Sequence, residues 1–315
     1  MKILSLFITL ICIVSFAENP NLSHPSKTKK TQVQVVELSN YSFNADNFFE
    51  ERKNLTFRET TAEVKFQRWG LEAIDRVNDL IPSQDRLDKI KLKLIFQADI
   101  QTSSALIAAV PVSIIDSYQE PKTLSIRLGM LELKDDETSF KITVAHEYSH
   151  LILENASRMA GTTPATAETI QFWSKPIYEG AADLMASMAF ETHYTGSLQS
   201  WGTRDLFEYV SLDDAQNAKD STVVSARAAF QKMNLIPKFQ IYENWLETIE
   251  KFIQSSGGKD PYAEGSWFAG SLYKIADNHQ WRAKLAKELV SRAKSGEIES
   301  DTLHFYEKLK SQLVK

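Results

Sequence analysis

His146-Glu147-Tyr148-Ser149-His150 constrains this chain more than any other stretch, because two imidazoles four positions apart ask for a helix. On an α-helix, positions i and i+4 lie one turn apart on one face, so both rings reach the same metal ion. Glu147 follows the first His and projects near that ion, where it can take a proton from a bound water. The flanks, Thr143-Val144-Ala145 and Leu151-Ile152, are uncharged, as a helix buried beneath a cleft requires.

Two His ligands do not complete a catalytic zinc (Zn2+) site, which takes three protein ligands and one open position for water. The single Cys, Cys12, lies in the N-terminal apolar run, so the third ligand is expected to be His, Glu or Asp. Glu154 sits one more turn along the same helix, and three ligands in a row on one straight helix cannot converge on a tetrahedral centre. Glu168 is within reach along the chain but stands in no recognisable setting. Glu179 is better placed, in Pro176-Ile177-Tyr178-Glu179-Gly180-Ala181-Ala182-Asp183-Leu184-Met185-Ala186. Pro176 suits a first helical turn, and small apolar residues through Phe190 let such a helix pack tightly under a metal. Glu179 and Asp183 are i,i+4 and face the same way. A ligating His gives its other N–H to a carboxylate or carbonyl, which fixes the ring; Asp183 is the candidate to hold His146 so. The plainer reading of both acids is a solvated helix start that complements the dipole, and the upstream motif tips the balance toward ligation.

Glu179 follows His150 by 29 positions. HExxH followed by ExxxD on a second helix resembles the gluzincin clan of zinc metallopeptidases, which includes thermolysin and the aminopeptidase N-like enzymes. The resemblance implies His146, His150 and Glu179 as zinc ligands, Glu147 as general base and Asp183 as the carboxylate behind a ligand. Pro261-Tyr262-Ala263-Glu264-Gly265 is similar to the Tyr-x-x-Gly segment of the aminopeptidase N-like enzymes. That likeness implies Tyr262 as catalytic donor to the developing oxyanion; Tyr178, Tyr194 and His193 are weaker candidates. The plainer reading of Tyr262 is a half-buried ring at a helix start. Gly129-Met130-Leu131-Glu132 lacks the order of the amine-gripping segment of that family, so aminopeptidase activity is not implied. The resemblance spans roughly residues 90–280, carried by three short motifs.

Lys2, the apolar run Ile3–Phe16 and Ser15-Phe16-Ala17 read as a secretory signal peptide cleaved after Ala17. The run is short for a bilayer span. Secreted or periplasmic localisation is expected, with no stable membrane insertion after cleavage. The mature chain then has no Cys and must depend on its core rather than on disulfides. Losing Lys2 makes the formal net charge of −5 one unit more negative. That mild acidity argues against nucleic acid or anionic membrane as the main partner; a peptide or protein substrate is what the gluzincin resemblance implies.

Four segments are expected: signal peptide 1–17, polar leader and N-terminal strand region 18–60, an α/β half with the HExxH helix 61–160, and a helical half with the third ligand 161–315. Gln32–Leu38, Lys91–Phe96, Ser104–Ile115 and Lys122–Leu128 read as strands. Val64, Phe66, Trp69, Leu71, Ile74, Val77 and Leu80 approximate helical spacing from Thr61 to Pro82. Beyond Ala156, helices are expected over 164–193, 203–218, 222–233, 238–255, 262–278, 280–294 and 300–314. Phe207, Trp245, Phe252, Trp267, Phe268 and Trp281 read as core, and His24, His279 and His304 as linker or surface. The fold class expected is α+β: a small mixed β-sheet N-terminal part packed on the zinc-binding helix, then a mostly α-helical C-terminal part, gluzincin-like.

Overall fold

The computed structural model describes residues 32–42, 50–51, 61–97, 122–129, 137–159, 173–195, 204–218, 254, 259–276 and 278–313. The signal segment 1–17, most of the leader, strand Ser104–Ile115, the helices expected over 222–233 and most of 238–255, and Glu168, His24, Trp245 and Phe252 lie outside them.

Helix α1 (Thr61–Leu80) buries the stripe Trp69, Ala73, Ile74, Val77 and Leu80. Leu71, counted with that stripe in the sequence, stands 37% exposed on the other side. The helix stops before Pro82, whose ring disfavours helical geometry in the residue ahead of it; a 3₁₀ turn, Ser83–Asp85, follows. Helix α2 (Glu137–Met159) is buried on nearly every side, the pattern of a central helix. Helix α3 (Lys175–Phe190) starts at Pro176 in its first turn and ends at Glu191, held in the left-handed region with φ 54°.

Three further helices cover these. In α5 (Pro261–Ile275) the first turn is capped by Asp260, whose Oδ1 accepts the N–H of Tyr262 at 2.9 Å. Asn278 caps α6 (His279–Ser295) in the same way, and Gly296 ends it with φ 67°. Helix α7 (Thr302–Leu313) is the last described helix, its Phe305 and Leu309 fully buried. His279 and His304 are exposed; Trp267 and Phe268 are buried, while Phe207 and Trp281 pack on the core from its edge. One apolar cluster runs from Trp69 to Leu313, so both halves share it. Among the described residues no helix is long and apolar enough to cross a membrane.

The α+β expectation is corrected. Where side chains are described, 76% of the residues are helical and no sheet forms a layer; the molecule is mostly helical. Strands β1 (Gln32–Ser42), β3 (Lys89–Gln97) and β4 (Lys122–Gly129) do pair in parallel through their backbones, and β2 (Glu50–Glu51) runs antiparallel to β1. Of these strands β4 touches α2, and only slightly; the main neighbours of α2 are α3, α1 and α6. The aromatic and branched stripe of α1 does the covering that the Lys–Leu alternation of residues 91–96 pointed to a sheet for.

The helix expected over 203–218 is also corrected. Asp205 Oδ1 accepts the N–H of Phe207 at 2.9 Å, an Asx turn that competes with helix. Residues Tyr194–Thr195 (β5) and Arg204–Asp205 (β6) form a small antiparallel pair, and only Leu212–Asn217 (α4) is helical. Ser211 starts α4 by accepting the N–H of Asp214 at 3.1 Å.

Candidate metal centre

The residues inside the HEYSH motif sort themselves by helix face. Tyr148 is fully buried toward α1, where its hydroxyl donates to Asn78 Oδ1 at 3.0 Å. Ser149 satisfies its own hydroxyl by donating to the Ala145 carbonyl one turn back at 2.7 Å. At the start of α2, Lys141 donates to Glu137 at 2.5 Å and also to Glu72 of α1. With α1 taking that side, His146 and His150 are left on the side facing α3.

Helix α3 reaches them because its own far side is nearly bare backbone. A Cβ on Gly180 would sit 2.5 Å from the Gly265 carbonyl oxygen, and one on Gly265 would sit 2.8 Å from the Pro176 oxygen. The backbones of α3 and α5 touch there, which only glycine allows. Ile177, Ala181, Leu184, Met185 and Met188 are buried around the contact, holding α3 in place with Glu179 turned to α2.

Among the described residues, His146, His150 and Glu179 form a group whose possible ligand atoms all lie within 4.8 Å of one another. Glu179 Oε2 is 3.4 Å from His150 Nε2 and 3.5 Å from His146 Nε2, and the two Nε2 atoms are 3.0 Å apart. Ligands about 2.1 Å from a tetrahedral zinc stand about 3.4 Å from one another, so the two His–Glu separations fit and the His–His separation needs a small opening. The donor set, two imidazoles and a carboxylate, is one that zinc takes in catalytic sites. His146 and Glu179 keep 13% and 10% of their side chains exposed against 5% for His150. Access from solvent is therefore on the His146–Glu179 side.

The second carboxylate lands at the position expected for it. His146 Nδ1 lies 2.7 Å from Asp183 Oδ1, which leaves Nε2 turned to Glu179. Burial disfavours the charged ring, but Asp183 outweighs it with help from Glu179 and Glu147, and raises the His146 pKa to about 10. A metal therefore displaces a proton there. Burial pushes Glu179 up, yet His146 and His150 win and hold its carboxyl well below the ordinary range. Glu147 is 5% exposed, its Oε2 is buried without a hydrogen-bond partner among the described residues, and its charge acts on both His146 and Tyr178. A buried, unpaired carboxylate oxygen is costly unless something polar comes to it, and a reacting water is such a partner.

His150 is held differently. Its Nδ1 is buried with no hydrogen-bond partner among the described residues, and its ring stacks on Tyr178 with centroids 4.1 Å apart. The Tyr178 hydroxyl donates to Glu154 Oε1 at 2.5 Å. Burial, then the charge of Glu154, raises its pKa well above the ordinary value, so it stays a phenol. Tyr178 is thus a packing partner of a candidate ligand, with its hydroxyl already spent. Glu154, set aside as a ligand, instead anchors that tyrosine. The sequence carried a faint signal in Glu154 lying one turn beyond His150.

Tyr262 is half-buried at the start of α5 with Lys175 Nζ 5.6 Å from its ring centroid; Lys175 Nζ in turn is 3.5 Å from Glu179 Oε1. Tyr194 is 45% exposed in β5. His193 stacks on Phe207 and bonds Asp205 at 2.7 Å, and so belongs to the β5–β6 corner. Sequence reasoning missed Lys175, whose only signal was its place one turn before Glu179. Set beside family models, curated proteins and solved structures, the chain finds no match among them.

Proposed function

We propose that the protein is an exported, zinc-dependent metallopeptidase of gluzincin type, hydrolysing peptide bonds. The observation that carries the proposal is the convergence of His146 and His150 from one helix with Glu179 from another, inside 4.8 Å and braced by Asp183 at 2.7 Å. His146, His150 and Glu179 would hold the ion. When bound, zinc polarises a carbonyl and lowers the pKa of a coordinated water toward neutrality. Asp183 keeps the proton on Nδ1 of His146, so that Nε2 stays a donor to metal. Glu147 takes the proton of the attacking water and passes it to the leaving amine. Tyr262, at the capped start of α5, is the proposed donor to the developing oxyanion. Export rests on the charged and apolar segment from Lys2 to Ala17, and a peptide substrate accords with the mild negative charge.

Digestion of a broad peptide library by the zinc-loaded protein tests this reading. The wild type is expected to cleave peptides, and Glu147→Gln to keep its zinc while hydrolysis falls about 10²–10⁴-fold, the worth of a general base. A Glu147→Gln variant that retains most activity overturns the mechanism. One bound zinc without cleavage by the wild type would leave a peptide-binding module instead, and turnover of small esters or epoxides alone would assign another bond.

A further inference from the structure

Resting on the zinc reading above, we propose that Lys175 is a positioning residue that confines Glu179 to one metal-facing oxygen. The two oxygens of Glu179 are shared between opposite partners. Oε2 lies 3.4 Å and 3.5 Å from the Nε2 atoms of His150 and His146, while Oε1 lies 3.5 Å from Lys175 Nζ. A carboxylate held in this way gives a metal one oxygen. If it swung freely it could give two, and the second would take up the position that a catalytic zinc keeps open for water.

Helix stability offers little reason for a lysine here. Lys175 is the first residue of α3, where the dipole disfavours a cation, and the first turn carries no acid. Lys placed four residues before Glu is also the weaker order for a helical ion pair. A second element braces the amine from the other side: its Nζ lies 5.6 Å from the Tyr262 ring centroid. The backbone contact of Gly180 with Gly265 fixes the separation of the two helices that carry these groups. Tyr262 therefore has a role besides any contact with substrate: it limits where the lysine can swing.

Cobalt(II) loaded in place of zinc into the full chain reports coordination number through its visible bands, which are intense for four ligands and weaken for five or six. The wild type is expected to give the intense spectrum with one cobalt per chain. Lys175→Met is expected to lose about threefold or more of that intensity, and Lys175→Arg, which keeps a cation within reach, to restore it. An unchanged spectrum in Lys175→Met overturns the inference, as does a Lys175→Arg variant no better than Lys175→Met. If Lys175→Met fails to fold, Lys175→Gln takes its place: weakened bands support the inference and an unchanged spectrum overturns it. A wild type that takes up no cobalt removes the metal centre and this inference with it. The spectrum needs no peptide turnover, so loss of the hydrolysis reading and loss of this one are separate results.

Discussion

Asp183 decides more at the candidate metal centre than its place behind His146 suggests. Fully buried on α3, it fixes the ring of His146 through one contact of 2.7 Å. Asp183→Asn keeps the shape but replaces the charge with an amide that can present either end to the ring. Zinc affinity is expected to fall about 10–100-fold in a competition titration; an affinity equal to the wild type would leave Asp183 with no part in holding the metal. That His146 shares a face with His150, and Glu179 with Asp183, was legible in the sequence, because helical periodicity sets which residues four apart face the same way; that the two pairs meet was implied only by the gluzincin resemblance. The stacking of Tyr178 on His150 and the reach of Lys175 to Tyr262 were not legible. Both depend on how α3 is rotated against α2 and α5, which no local pattern encodes.

At the scale of elements, α3 meets α5 through a glycine contact with buried side chains packed around it. A Cβ on Gly180 meets the Gly265 carbonyl at 2.5 Å and Phe268 Cδ1 at 2.9 Å, and a backbone carbonyl cannot turn aside. Gly180→Ala is therefore expected to cost about 1–3 kcal/mol as overpacking and, by moving Glu179, to weaken zinc binding too. Denaturant unfolding of the metal-free protein measures the first effect. Gly70→Ala is the control: its new Cβ meets only the end of the Leu92 side chain, at 2.8 Å, which can yield. Equal stability of Gly180→Ala and the wild type would contradict the seating. The helix start expected at Tyr262 lies one residue earlier, at Pro261. Asn278, counted as the end of 262–278, instead caps the next helix, and 203–218 was misread because Asp205 turns the chain back on itself. The Lys–Leu alternation of residues 91–96 marked a strand correctly, but alternation carries no information on which layer will cover α2.

Across the whole molecule, ion pairs join helices that are distant in the chain. Lys141 of α2 hydrogen-bonds Glu72 of α1, and that bond, with the charges of Lys141 and Arg76, outweighs burial and holds Glu72 below the ordinary 4.5. Near the C-terminus, Lys308 and Arg292 lower Glu297 in the same sense. A carboxyl lowered in the folded state binds fewer protons than in the unfolded chain. Its contribution is therefore complete above about pH 4.5 and is lost as pH falls through the lowered value. Lys141→Met is expected to be less stable than the wild type at pH 7 by up to about 1 kcal/mol, since Glu72 is well exposed. The difference should shrink as pH drops below 4.5, and added salt should shrink it as well. A difference that stays constant from neutral to acid pH would assign the effect of Lys141 to packing.

The shared core from Trp69 to Leu313 brings residues 146, 150 and 179 into one site, and the proposed chemistry stands or falls on that site holding a single ion. An equilibrium zinc titration of the full chain beside Glu179→Ala tests it most directly. A three-ligand centre predicts one zinc per wild-type chain, with affinity at least about 100-fold weaker in Glu179→Ala, since loss of a ligand exceeds loss of a group behind one. A wild type that binds no zinc, or a Glu179→Ala variant that binds it equally well, would contradict it.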